Sequence, residues 1–350
     1  MEKLTLAGRS VGPNEPPYIV AEIGSNHNGD MALCTRLIDA ARDCGVDAVK
    51  VQSWSRNSLI SEAEYRRNRK YGAGDKQLPS LEEAVLQYQL SAEQHREISR
   101  YCREKKVTFF SSVFSKCEVD LMELLETPAY KIASMDVNNP TLLEYVAGTH
   151  KPVVLSTGLA TLGEIEGALN ALVRGGCRDV VLLHCVSLYP SPPDTIHLRN
   201  IETLHRVFDV PVGYSDHSLG TSIPLASIAF GACLIEKHFT LDKNLEGWDH
   251  AISSDPPEMQ YLVRESRGVF EALGSPRRIV TEEQLEKRKS FRRRLVVVRS
   301  MKRGERLTMA DVDFKRPGTG IRPDEMQYVI GRELRKDVAA QEEIEWSDLL

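Results

Sequence analysis

Eight short apolar runs, each followed by a stretch of helical periodicity, constrain this chain more than anything else in it. The runs occupy 18–23, 48–52, 107–112, 129–132, 152–156, 180–184, 210–214 and 234–238. Helical patterns follow at 31–44, 92–105, 117–125, 141–149, 162–175, 200–208, 221–231 and 258–273. A short strand that is apolar throughout is buried on both faces, as parallel strands covered by helices are. Eight such units over about 260 residues match the count and size of a closed (β/α)8 TIM barrel. An open doubly wound sheet is the alternative, but no Gly-rich dinucleotide loop follows the first run.

Two regions fall outside this repeat. The long insertion from Trp54 to Ser80 is polar and carries Tyr65, Arg66, Arg67, Arg69, Lys70 and Tyr71, which suits a lid over a site or a solvated loop. Beyond the barrel, taken as residues 1–275, a basic linker at 276–294 crowds eight arginines and lysines. Residues 295–350 then read as a small β-rich unit with a turn at Arg316-Pro317-Gly318-Thr319-Gly320 and a strand-like Tyr328-Val329-Ile330. A unit of that size needs a neighbouring surface for stability.

The charge balance narrows the partners. A net charge of -5 gives no general footprint for nucleic acid, so an anion would have to meet a local basic site. No apolar run approaches the roughly 18 residues of a membrane span, and the amino terminus lacks a secretion signal. The seven cysteines contain no Cys-x-x-Cys pair, which suits reduced, buried thiols and a cytoplasmic protein.

Chemistry in a barrel gathers at the carboxyl ends of the strands, and here those ends are polar. Lys50 and Lys131 stand inside apolar runs, where an ammonium is desolvated and must find an anion. That anion is a phosphate or carboxylate ligand, or a structural partner such as Glu22 or Glu236. Ser134, Ser156, Thr157 and Ser215 lie at matching depth and can donate the remaining hydrogen bonds. His217 and His238 end two successive runs 21 residues apart, about one strand-helix repeat. On adjacent parallel strands the imidazoles would finish side by side and could grip a divalent metal with positions left open. Glu22, Asp136, Glu236 and Asp249 supply carboxylates around the same mouth, to handle protons or orient a hydroxyl. Asp216 is read as a partner supporting His217 or as a loop cap.

The chain resembles the sialic acid synthases, which condense phosphoenolpyruvate with an N-acetylated amino sugar. The resemblance rests on Ala21-Glu22-Ile23-Gly24-x-Asn26-His27, Lys50-x-Gln52, Tyr130-Lys131-Ile132-x-Ser134, Leu155-Ser156-Thr157-Gly158, Leu183-His184-Cys185, Tyr189-Pro190, Ser215-Asp216-His217, Glu236-Lys237-His238-Phe239 and Lys315-Arg316-Pro317-Gly318-x-Gly320, in that order. It implies a barrel followed by an antifreeze-like (SAF) domain, and a homodimer in which that domain covers the partner's active site. It implies Mn2+, or alternatively Mg2+ or Co2+, on His217 and His238. Lys50, Ser112, Lys131, Ser134, Ser156 and Ser215 would bind phosphoenolpyruvate. Glu22 and Asp249 join the two histidines as catalytic residues, while Gln52, Asp136, Ser187, Tyr189 and Arg316 face the sugar.

The departures from the family pattern fall on the sugar side. Ser134-Met135-Asp136 replaces Ser-Gly-Glu, Ser187 replaces an asparagine, and Glu246-Gly247-Trp248-Asp249 replaces Pro-Gly-Pro-Asp. They suit either N-acetylmannosamine or a relative such as the diacetamido trideoxy hexoses that lead to legionaminic or pseudaminic acid. Two further readings are a Schiff-base aldolase using Lys50 or Lys131, and a non-catalytic carbohydrate-binding protein.

Overall fold

The computed structural model describes residues 3–68, 71–73, 76–78, 80–316 and 318–350. Arg69, Lys70 and Pro317 of the segments singled out above lie outside the described residues, as does the side chain of Tyr71. The chain divides into two compact units, Met1–Gly274 and Ser275–Leu350.

The first unit is a closed parallel barrel of β1 (Tyr18–Gly24), β2 (Ala48–Ser53), β3 (Thr108–Val113), β4 (Tyr130–Ile132), β5 (Val153–Ser156), β6 (Val180–Cys185), β7 (Val212–Asp216) and β8 (Leu234–His238). Neighbours in sequence are neighbours in space, and β8 closes onto β1 through Glu22 opposite His238. Helices follow each strand in turn: α1 (Met31–Asp43), α2 (Ala92–Lys105), α3 (Lys116–Leu124), α4 (Pro140–Ala147), α5 (Leu162–Arg174), α6 (Asn200–Phe208), α7 (Ser222–Ala229) and α8 (Pro256–Leu273). Local chemistry starts them. Asp30 accepts from the Ala32 amide, Ser91 with Gln94 and Thr161 with Glu164 form reciprocal caps, and Pro140 and Pro256 open their helices without wasting an amide. The buried helix faces pack on outward strand residues such as Ile19, Val49, Ile132, Leu182 and Ile235 to form the main core.

A second core fills the barrel bore. Val20, Ala48, Phe110, Ala129, Val154, Val181, Leu183 and Leu234 point inward and meet Leu4, Leu6 and Val11. Those last three belong to an antiparallel pair, Leu4–Leu6 with Arg9–Val11, which plugs the amino-terminal end. The start of the chain, though it precedes the first apolar run, is therefore part of the barrel's packing. The bore is packed with apolar side chains below and polar above, so the carboxyl end is the one left open to chemistry.

The segment after β2 is more ordered than a polar loop. It holds helices at Arg56–Leu59, Glu62–Arg67 and Leu81–Tyr88, and a two-stranded ribbon of Tyr71–Ala73 with Lys76–Leu78. Trp54, Tyr65, Leu81, Val85 and Tyr88 form a satellite core there. Of the seven cysteines all are free and six are buried, while Cys117 is exposed, contrary to the expectation of buried thiols throughout.

In the second unit, residues read as linker form a helix over Glu282–Phe291, and Arg294 already begins a strand, Arg294–Val297, paired antiparallel with Val312–Lys315. Leu295, Val297, Met301, Leu307, Ile321, Val329, Leu334 and Ile344 make its core. Tyr328-Val329-Ile330 is not a strand. Pro323 opens a 3-10 turn over Pro323–Tyr328 that ends at helical Val329, and the buried Val329 side chain serves the core from that turn.

Candidate active site

The pleat of the strands sorts their polar residues by face. On β7 and β8, Ser215 stands opposite Glu236 and Asp216 opposite Lys237. Ser215 and Glu236 point into the barrel, where the Ser215 hydroxyl lies 3.3 Å from Glu236 Oε1. Asp216 and Lys237 point outward and form a buried ion pair, with Nζ 2.5 Å from Oδ2. Asp216 also accepts from the Ser218 amide and hydroxyl and from the Tyr214 hydroxyl. Asp216 thus caps its turn, the second of the two readings, and through Lys237 it also staples that turn, behind the two histidines, to β8. Replacing Asp216 by alanine strands the Lys237 charge, and urea denaturation should show a loss of about 3–5 kcal/mol. The added change Lys237→Met should return most of it.

The same alternation puts Lys50, Lys131, Glu22 and Glu236 on the cavity floor. Lys50 pairs with Glu22, donates to Ser112 Oγ at 2.8 Å and lies 3.8 Å from Glu236. Lys131 donates to Ser156 Oγ at 2.6 Å and lies 3.9 Å from Glu236. Both lysines therefore have the structural carboxylate partners, yet both also line the open cavity. Burial, opposed by Glu236, lowers the Lys50 pKa to about 7. Burial also pushes against ionisation of Glu236, but Lys131 and Lys50 outweigh it and hold that carboxyl below its ordinary value.

Above the floor, His217 and His238 finish adjacent strands with ring centroids 5.5 Å apart. The Tyr189 ring covers His217 at 4.2 Å. His217 Nδ1 donates to the Val186 carbonyl at 2.9 Å, which leaves Nε2 with its lone pair. Among the described residues His238 Nδ1 has no hydrogen-bond partner. Burial first, then the charge of His238, lowers the His217 pKa to about 4; burial and then Lys50 lower that of His238 to about 3. Both rings are neutral at pH 7, which is the metal-ligating form. Among the described residues no third histidine, cysteine, aspartate or glutamate completes a ligand group. The pair fits a divalent ion held by two imidazoles, with the other positions left to substrate and water.

The cavity has a volume of about 370 Å3. It gathers Glu22, Lys50, Gln52, Ser112, Lys131, Ser134, Ser156, Ser187, Tyr189, Ser215, His217 and His238 of the residues expected from sequence, together with Glu236. Asp136 does not line it. Its Oδ1 accepts from Asn139 Nδ2 at 3.1 Å, beside the cap of α4, and Met135 lines the cavity in its place. Asp249 stands just behind the wall, its Oδ2 3.1 Å from Ser25 Oγ and 3.7 Å from His238 Nδ1, and burial raises its pKa. Arg316 belongs to the second unit, over the Phe291 ring at 5.3 Å. Thr157 and His184 are committed elsewhere: the Thr157 hydroxyl donates to the Leu183 carbonyl, and His184 Nε2 lies 2.6 Å from that of Ile196. Phe114 and Leu159 are wall residues that reading the sequence missed, and Cys185, read there only as part of a motif, is a third. Cys185 shares the inward parity of Leu183; the other two lie past strand ends, where parity no longer informs.

A larger cleft of about 600 Å3 opens at the opposite end, where β7 and β8 begin. Its Arg206 and Glu271 are exposed helix residues and its Glu202 a half-buried one, and strand-borne chemistry does not converge on it.

An apolar bore opening on buried lysines, serines and a neutral imidazole pair is the layout of a barrel enzyme working on a small anionic substrate. The match of residues 37–278 to the NeuB family places the chain in that family, and residues 292–350 match the SAF domain. An uncharacterised protein of Methanocaldococcus jannaschii is 41% identical, with 100% of this chain and 99% of that one covered. The N,N'-diacetyllegionaminic acid synthase of Legionella pneumophila is 34% identical over 95% of this chain and 94% of its own. A crystal structure of an N-acetylneuraminic acid (sialic acid) synthetase from Leptospira borgpetersenii, in complex with citrate, is 32% identical. It superposes with a TM-score of 0.74 over 82% of this chain and 95% of that one. The chain is an enzyme of this synthase type, and among its described residues no helix is long and apolar enough to cross a membrane.

Proposed function

We propose that this enzyme condenses phosphoenolpyruvate with an N-acetylated amino sugar and water, releasing phosphate and a nonulosonic acid of the sialic type. The observation that carries this reading is the pair of buried lysines, each hydrogen-bonded to a serine, on the floor of a cavity whose upper wall holds two neutral imidazoles. Lys50, Lys131, Ser112, Ser134, Ser156 and Ser215 bind the carboxylate and phosphate of phosphoenolpyruvate. Formally the floor is already balanced, two lysines against Glu22 and Glu236. A multiply charged anion therefore calls for further positive charge, which a divalent ion on His217 and His238 would provide. When bound, Mn2+ or a similar ion would polarise the aldehyde of the open-chain sugar.

Carbon C3 of the enol phosphate forms the new bond to that aldehyde carbon, whose oxygen takes up a proton. Water adds at C2, and phosphate departs with cleavage of its C-O bond. The lysines steady the negative charge throughout. Glu22, on the cavity lining, and Asp249, beside His238, handle protons and orient sugar hydroxyls in this reading, with Gln52, Ser187 and Tyr189 on the acceptor side. In a homodimer, Arg316 would come to the acceptor from the partner's second unit; a monomer by sedimentation would rule that out.

One observation favours a diacetamido trideoxy hexose over N-acetylmannosamine as acceptor. Met135, Leu159 and Phe114 line the cavity while Asp136 turns away, and an apolar wall suits a sugar with fewer hydroxyls. Phosphate release from phosphoenolpyruvate, measured with each acceptor and with a chelated control, tests both parts. Chelator-sensitive release is expected. Release that ignores chelator, with borohydride trapping of substrate on a lysine, would establish the Schiff-base aldolase instead.

The Lys50 environment predicts a pH effect. Its ammonium is the form that binds an anion, and it is lost as pH rises through about 7. kcat/KM for phosphoenolpyruvate should therefore fall by about tenfold per unit of pH well above neutrality. A profile flat from pH 7 to 9 would contradict this assignment.

A further inference from the structure

Three aromatic rings from distant parts of the chain meet beside the cavity mouth. Trp248, in the loop after β8, has its ring 6.0 Å from Trp54 and 5.0 Å from Tyr88. Trp54 meets Phe114 edge-on at 6.2 Å, and Phe114 lines the cavity. Trp54 and Tyr88 are buried, so the half-buried indole of Trp248 has a firm apolar seat in the satellite core of the segment after β2.

The next residue is Asp249, beside His238 and Ser25. The loop that carries it is pinned on its other side as well. Asn28 Nδ2 donates to the Glu246 carbonyl at 2.8 Å, and Gly247 packs so closely that a Cβ there would stand 2.6 Å from the His250 ring. Between that anchor and the carboxylate, the Trp248 indole is the side chain that ties the loop to the segment after β2.

We propose that Trp248 is a positioning residue whose indole, seated on Trp54 and Tyr88, holds Asp249 at the acceptor side of the site. The segment after β2 thereby contributes to acceptor recognition through Asp249. This inference rests on the reading that Asp249 faces the acceptor sugar.

The test is a double-mutant cycle of Trp248→Ala and Asp249→Asn, with Trp248→Phe as the conservative variant. Trp248→Ala should lower kcat/KM for the acceptor by about tenfold to a hundredfold, as displacing a catalytic group by about an ångström does. Its calorimetric affinity for phosphoenolpyruvate should stay unchanged. Trp248→Phe should recover most of the activity, and the double variant should be no slower than Asp249→Asn alone. Effects that multiply in the double variant would overturn the proposal, because Trp248 would then act apart from Asp249. So would a Trp248→Ala protein that loses phosphoenolpyruvate affinity and thermal stability together and is not rescued by phenylalanine. Full activity in Asp249→Asn would end it too, while leaving the condensation reading intact; a wild-type enzyme that releases no phosphate would sink the condensation reading itself.

Discussion

Replacing Lys131 by methionine is expected to lower kcat/KM for phosphoenolpyruvate by about 10²–10³-fold, the range lost when a preorganised group facing developing charge is removed. Methionine keeps the length of the side chain and its burial, so the packing of β4 against β5 should survive. What disappears is the ammonium that donates to Ser156 and the Ile132 carbonyl and that lies 3.9 Å from Glu236. Of its two lysines Glu236 then keeps Lys50, at 3.8 Å, against a burial that already opposes its ionisation. The variant should therefore also lose stability at neutral pH and regain part of it in Glu236→Gln. Steady-state kinetics and urea denaturation read these effects separately. A Lys131→Met enzyme within tenfold of wild type would mean that the buried lysine is structural and that the anion sits elsewhere.

Removing one imidazole should cost at least as much. His238→Ala leaves His217 as the remaining histidine of the pair, and divalent-metal affinity measured by calorimetry should drop by more than about a hundredfold, beyond what loss of a mere supporting partner costs. Turnover should fall by about 10³-fold at limiting metal, equivalent to several kcal/mol of lost Lewis-acid stabilisation. Chelation of the wild type should produce the same loss, and added Mn2+ should reverse it. The two imidazoles are neutral at pH 7, so metal binding should persist as pH falls well below the usual histidine range, towards about 4. Unchanged metal affinity in His238→Ala would remove the imidazole pair from the proposed mechanism.

How much of this site could be read in advance follows from where each residue sits relative to a strand. Lys50, Lys131, Ser215, Glu236 and His238 lie within β2, β4, β7 and β8, where strict alternation decides which face a side chain takes. His217 continues that parity one residue past β7. Asp136 was misplaced because β4 ends at Ile132 and a 3-10 turn over Ser134–Asp136 follows, so strand parity no longer says whether Met135 or Asp136 looks inward. The same loss of parity hid Phe114 and Leu159. Asp216 and Lys237 show the converse. Their alternation was visible, but that two outward charges would find each other under the helices depended on the register between β7 and β8.

Sequence alone determined the barrel, the polar character of its carboxyl mouth, the buried lysines and the histidine pair. It could do so because a parallel strand covered on both faces leaves an unbroken apolar run, and a charge inside such a run has few explanations. Tertiary structure decided the rest: the hairpin that plugs the bore, the ion pair behind the histidines, and the seating of Trp248 on Trp54 and Tyr88. Each of these is a contact between segments with no local periodic relation, and it forms only where strand pairing and barrel packing bring their side chains within reach.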